Sequence, residues 1–406
     1  MREDYMGLTG QRRQVLIAVL AAAVALAGIG TKAQSNAATQ TGQVFATSTP
    51  AALVGAQSAV ATATPTPSSA VLIGPYDYPD GYNPMTGLPY PNDEVRARRN
   101  LIVKISNHPP VVRPQHGVNA ADLVFEYEAE GNVTRFAAVY RSNAPERVGS
   151  VRSGRLLDIE LLTMYSALLA YSGTSEPIRK IYLNSNYRYR LISPSIGDNC
   201  DSAGFCRDTT LTERDYEHTL FGDTRRMWEV ATRRNVNTGF RAVGFAFSES
   251  TDIGGIAARD IFINWSWRTN ARWQYDEQSR TYLRYTDHEP HFDAADGQQL
   301  WADNLVILEV PHRRRPDLFP PGATNESLEV ALWDSGRAYV FRDGVIFVGF
   351  WKRLGSRPGE ALQLMLGNNE VIPLRPGRTW ISITRSLGSI IVNAEHQQIP
   401  TLTPEP

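Results

Sequence analysis

Cysteine is nearly absent: among 406 residues only Cys200 and Cys206 are cysteines. A fold held by a disulfide framework is thereby excluded. So is a zinc site on these thiols, because no second Cys or His pair sits nearby at ligand spacing. An excess of one charge is absent too. Lys and Arg number 41 against 42 Asp and Glu, for a formal net charge of -1, which argues against a nucleic-acid binder driven by bulk charge. No stretch spells out a known catalytic motif, and no cysteine follows the N-terminal apolar run to accept a lipid.

What is present suits a globular body. Hydrophobic residues make up 42% and aromatics 10%, enough to bury a core and to exclude wholesale disorder. The length fits about two domains. Arg12 and Arg13 precede the apolar run Val15–Ile29, and Lys32 follows it, the pattern of a secretory signal or an N-terminal anchor. Two readings stand: cleavage near Ala33, or an uncleaved helix in the membrane with the body outside. Either exports the chain, to the outer face of the cytoplasmic membrane or beyond it. Gln34 to about Ser69 is Ala, Thr, Ser, Pro and Gln, a solvated linker. Cys200 and Cys206 lie close together in a loop-like stretch, where an oxidising compartment favours a disulfide between them.

The first half of the body mixes strands and helices. LIVKIS (101–106) reads as a strand that stops at Asn107-His108-Pro109-Pro110. DLVFEYEAE (122–130) alternates, placing Val124, Glu126, Glu128 and Glu130 on one face and Leu123, Phe125, Tyr127 and Ala129 on the other. Gly131-Asn132 predicts a tight two-residue turn into the strand Val133–Arg141, a register that sets Glu128 opposite Arg135. The stretch 147–155, rich in small residues and carrying Arg152 and Arg155, leads into a helix over 156–165, so its backbone N–H groups and two guanidinium groups predict an anion cradle. A buried strand follows at 167–172 and helices at 176–183 and 223–235, the last capped by Asp223.

From Phe245 onward short aromatic-rich strands alternate with turns. The predicted class is α+β: a mixed α/β N-terminal domain followed by a mainly antiparallel β domain. The expected segments are 1–33 (signal or anchor), 34–75 (linker), 76–244, 245–385 and a weakly ordered tail over 386–406.

The motifs Asn83-Pro-Met-Thr-Gly-Leu-Pro, Val103-Lys-Ile-Ser-Asn-His-Pro, Ala121-Asp-Leu-Val-Phe-Glu, Glu130-Gly-Asn-Val-Thr-Arg-Phe and Val148-Gly-Ser-Val-Arg-Ser-Gly-Arg occur in that order. Tyr275-Asp, Asp303-Asn-Leu-Val-Ile, Asp343-Gly and Pro376-Gly-Arg-Thr-Trp-Ile continue the series. Together they resemble the YerB-like lipoprotein family, domain-of-unknown-function family 3048, with its N- and C-terminal modules. The resemblance covers most of 83–383. It implies a bacterial, exported, membrane-associated protein with a two-part fold, and it brings no activity with it. Two departures stand out. The family's lipid-anchoring cysteine is missing, and Glu217-His218-Thr219 replaces a Pro-His-Asn pattern, of which only His218 matches.

The candidate ligand-binding group is Asn107, His108, Arg113, Gln115, Glu126, Glu128, Arg135, Arg152 and Arg155, with Glu130 beside them. A cleft for an anionic or polar ligand competes with a structural ion-pair network, since both concentrate charge in this way. Glu126, Glu130 and His108 are the catalytic candidates for a hydrolase or transferase acting on glycans, chemistry that needs two carboxylates about 5–9.5 Å apart across a cleft. His288, His291 and Asp293 fit no metal template and read as a hairpin loop. Trp265, Trp267, Trp273, Trp301, Trp333 and Trp351 offer a sugar-stacking platform or, more simply, core positions. No metal or cofactor is expected. The expected partners are the membrane, through the N-terminal helix, and a cell-wall polymer or envelope protein, with no nucleic acid. The function expected is that of an envelope binding module.

Overall fold

Apolar runs too short for helices and bounded by Pro, Gly or Asn pair into strands. The computed structural model describes residues 71–250, 254–318 and 327–393. The apolar run Val15–Ile29, the linker Gln34–Ser69 and the end of the expected tail lie outside the described residues. No described helix is long and apolar enough to cross a membrane.

Two sheets organise the body. The larger contains Leu101–Ser106 (β1), Leu123–Ala129 (β2), Val133–Tyr140 (β3), Leu168–Ala170 (β4), Leu191–Ile192 (β5) and Ile256–Ala257 (β6). The smaller is built on Asp260–Ser266 (β7), Thr269–Asp276 (β8) and Thr281–Thr286 (β9). The larger resumes with Asn304–Glu309 (β10), Ser335–Arg342 (β11), Val345–Arg353 (β12), Leu362–Met365 (β13) and Thr379–Thr384 (β14), and Ile390–Val392 (β15) closes the smaller. The order in the larger sheet is β6-β12-β11-β10-β14-β2-β3-β1-β4-β5, with β13 on the far side of β12. The smaller runs β9-β8-β7-β15. With helices packed on these sheets, the fold is α+β.

The halves expected at 76–244 and 245–385 share the larger sheet. β14, from near the chain's end, lies between β10 and β2 and is parallel to both, with Ile381 opposite Val306 on one side and Phe125 on the other. Ile73, assigned to the linker, is also ordered, and exchanges backbone hydrogen bonds with Phe247 across the join.

Period-two alternation decides which side chains go to which layer. Leu123, Phe125 and Tyr127 face the helices Leu157–Met164 (α1) and Glu176–Asn184 (α2), packing with Leu161, Leu162, Ile178 and Tyr182. Val124 faces the other way, into a layer with Trp380, with Ile261, Ile263, Ala271 and Trp273 of the smaller sheet, and with Met227 and Trp228 of Thr224–Arg233 (α3). Each such side chain, fully buried, contributes about 1.5–3 kcal/mol. Asp223 caps α3, accepting from the Arg225 amide at 2.9 Å.

Two local expectations are corrected. The β2–β3 connection is a three-residue loop, because Ala129 pairs with Val133. Arg135 therefore stands opposite Tyr127, and Glu128 opposite Thr134. Asn132 as well as Gly131 adopts positive φ there, at 58° and 86°, as short polar side chains tolerate. The body also does not close at Arg385. Leu387, Ile390 and Val392 are buried, and β15 pairs with β7 through Ile261–Val392 and Ile263–Ile390. Cys200 and Cys206 are joined in a disulfide that ties a helical turn to the short strand Cys206–Arg207.

Candidate functional site

The predicted polar cluster separates into two places. The first is sealed. Glu126 sits in mid-β2 on the face toward the smaller sheet, where Arg284 of β9 meets it. Arg284 Nη1 and Nη2 donate to Glu126 Oε2 and Oε1 at 2.8 and 2.9 Å, and both side chains are 0% exposed. Thr134 Oγ1 donates to Glu126 at 2.8 Å, Asn107 Nδ2 at 3.3 Å and Trp380 Nε1 at 3.3 Å. The guanidinium lies 4.7 Å from the Trp380 ring and 5.3 Å from Trp273, a cation–π cage that replaces lost hydration.

His291 extends this network. Its Nδ1 accepts from Arg284 Nε at 3.3 Å and from Thr286 Oγ1 at 2.8 Å, so Nε2 carries the proton and donates to Gln115 Oε1 at 2.6 Å. Burial, then Arg284 and Arg113, hold His291 well below the usual histidine range. Asn107, Gln115 and Glu126 thus form a buried clasp between the halves. Glu126 has no surface to offer a substrate.

Around this clasp, Arg113 pairs with Asp287 at 2.6 Å and Arg385 with Glu128 at 2.7 Å. His108 is half-buried, its pKa lowered by burial and then by Arg268 and Arg113. Glu130 is ion-paired with Arg155, so the two carboxylates proposed for glycan hydrolysis are each held by an arginine. His291 and Asp293 are buried while His288 is exposed, and Asp293 accepts from the amides of Gly117, Asn119 and Ala295 at 2.7–2.8 Å. These three residues do not converge.

The second place is the loop Ser150–Arg155. It is pinned from both sides: the Arg152 amide donates to Lys104 O at 2.9 Å, Val151 to Leu220 O at 2.7 Å, and Gly154 to Gly173 O at 2.9 Å. At Gly154 a Cβ would lie 2.6 Å from Tyr182 Oη, so the close approach to α2 requires glycine. The anion cradle expected at the start of α1 is filled by the chain's own Asp158. That carboxylate accepts from the Arg155 amide at 2.6 Å and pairs with buried Lys104 at 3.0 Å. Burial lowers Lys104 to about 8, against the pull of Asp158.

Among the cations beside the loop, Arg155 pairs with Glu130 and Arg214 Nε lies 3.5 Å from Glu213, whereas Arg135 and Arg152 lack a carboxylate partner among the described residues. Arg135 is 8% exposed, and it donates from Nη1 to Ser153 O at 3.1 Å. Burial, then Arg155 and Arg152, push its pKa well below the ordinary arginine value. Arg152 donates to Glu217 O at 3.1 Å. Arg214 Nη1 reaches Ser150 Oγ at 3.4 Å, and Arg207 lies 3.5 Å from the Tyr216 ring. Buried Nε atoms of Arg152 and Arg214, and Nδ1 of buried His218, have no hydrogen-bond partner. Burial, then Arg152, lower His218 to about 4. Asp215, Glu217 and His218 bring ligand-type atoms within 4.8 Å of one another, the two carboxylates being exposed.

Sequence reasoning found Arg135, Arg152 and Arg155 but missed Arg207, Arg214 and Arg284. His218 was flagged only through its motif. Arg284 carried no local signal, since its neighbours on the same strand face are Tyr282 and Thr286 while Leu283 and Tyr285 take the other.

Comparisons with known proteins agree with this architecture. The family model described as "Protein of unknown function (DUF3048) N-terminal domain" matches residues 85–237, and its C-terminal counterpart matches 261–381. The chain is 24% identical over 314 residues to "Putative lipoprotein YerB" of Bacillus subtilis (strain 168), covering 76% of this chain and 88% of that protein. The crystal structure of YerB from Bacillus subtilis superposes with a TM-score of 0.63 at 23% identity, over 77% of this chain and 99% of that one.

Proposed function

The chain belongs to the DUF3048 family, and from that membership and the geometry above we propose that it is an exported envelope protein whose body binds an anionic ligand at the arginine loop. Export is supported by the charged and apolar N-terminal pattern, by the disulfide, which suits an oxidising compartment, and by the word lipoprotein in the relative's name. This chain lacks a cysteine after its apolar run, so the run Val15–Ile29 itself anchors it, or the body is released.

One observation carries the binding reading. Arg135 is buried without a carboxylate partner, beside Arg152 and Arg155. An unpaired buried cation is costly, and a phosphate or carboxylate group at the loop would offset that cost while meeting the unpartnered Nε donor of Arg152. Guanidinium forks suit such oxyanions. The ligand is a phosphate- or carboxylate-bearing polymer of the envelope.

The test is a calorimetric titration with tripolyphosphate. Wild type binds, and the affinity falls as salt is raised. Arg152→Gln weakens binding about tenfold or more, the loss of one charge-assisted pair. Equal binding by wild type and variant would refute the assignment.

A further inference from the structure

A second recess lies in the C-terminal half, apart from the arginine loop. It is a cavity of about 430 Å³ lined by Trp333, Asp334, Ser335, Lys352, Arg353 and Ser356, within the roughly 300–1,000 Å³ usual for small-molecule sites. It opens where β11 and β12 meet. The Arg353 amide donates to Asp334 O at 2.9 Å, and Asp334 holds a φ of 63°, a conformation uncommon outside glycine and tolerated by Asp. The facing wall is shaped in advance. At Gly355 a Cβ would lie 2.2 Å from Glu360 Oε2, and that carboxylate also accepts from the Arg357 amide at 3.0 Å.

The lining combines three chemistries. Trp333 is half-buried and supplies an apolar surface. Asp334, Ser335 and Ser356 are exposed and supply acceptors and hydroxyls. Lys352 is exposed, and Arg353, with a side chain 7% exposed and ion-paired to Glu160, keeps a buried Nε without a partner. A buried donor left unmade is unusual and costly, and here it belongs to a residue that lines an open recess.

We propose that this recess binds a saccharide unit bearing a carboxylate. The C–H face of a pyranose ring lies against Trp333, the hydroxyls donate to Asp334 and exchange hydrogen bonds with the serines, and the carboxylate meets Lys352 and Arg353. A purely apolar ligand would leave Asp334 and the Arg353 donor unmatched, and a bare inorganic anion would leave Trp333 unused and face Asp334.

The experiment is ligand-observed NMR and calorimetry on the full chain, with a galacturonate disaccharide and the matched galactose disaccharide as probes. The acidic sugar binds saturably and at least about tenfold tighter than the neutral one. Trp333→Ala abolishes that binding, and exposed Lys352→Glu weakens it about tenfold or more. Should Trp333→Ala fold poorly, Lys352→Glu still decides. No saturable binding of the acidic sugar, equal binding of both sugars, or full binding by Lys352→Glu would overturn the proposal.

Discussion

Glu126 and Arg284 meet where neither touches water, among Trp273, Phe136 and Trp380. Removing one partner leaves a bare charge in that cage. Arg284→Ala should lower the unfolding free energy by about 3–5 kcal/mol in urea titrations, and a near-neutral result would mean the clasp is dispensable. His218 makes a pH prediction. It resists protonation down to about 4, whereas an ordinary histidine in the unfolded chain takes its proton near 6.5. Between those values the unfolded state binds more protons, so this contribution to stability is complete above about 6.5 and is lost as the pH falls toward 4. His218→Gln should flatten that slope in pH-dependent melting, and an unchanged slope would remove His218 from the account. At this scale the sequence showed that Glu126 and Tyr127 face opposite layers, because alternation is local. It did not show that Glu126 belongs to Arg284, 158 positions away, because no local pattern encodes a partner across two sheets.

Among elements, the short strands show how much pairing decides. The run Ile390–Val392 looked like the start of a tail, since three residues after a Gly-Ser turn carry little period of their own. It becomes β15 because Ile390 and Val392 fill the layer beside Ile261 and Ile263. Ending the chain after Arg385, or replacing Ile390 with Asp, should lower the melting temperature and expose apolar surface to a dye such as ANS, and a truncated protein as stable as wild type would contradict the role of β15. The β2–β3 turn is a comparable case. Gly131-Asn132 marked its place correctly, yet one extra loop residue, Glu130, moved Arg135 from opposite Glu128 to opposite Tyr127 and so toward the loop Ser150–Arg155.

For the molecule as a whole, the composition does change near Phe245, and the family models divide there as well. The larger sheet nevertheless crosses that division, with β14 seated between β10 and β2. Parallel pairing between distant segments leaves no local trace and forms only with its partners present. Residues 71–244 expressed alone should therefore show no cooperative unfolding transition by circular dichroism; a sharp one would show that the first half folds by itself. The same assembly brings the arginine loop together, since Arg135 comes from β3, Arg152 from the loop after Val148–Gly149, and Arg207 and Arg214 from the segment around the disulfide. If these cations are held together for an anion, they strain the empty protein. Thermal unfolding of wild type and Arg152→Gln, each with and without tripolyphosphate, tests this most directly. The account predicts that the variant melts higher than wild type when no anion is present and gains little from adding it, while wild type is clearly stabilised. A variant that melts lower than wild type yet is stabilised by the anion to the same extent would contradict it.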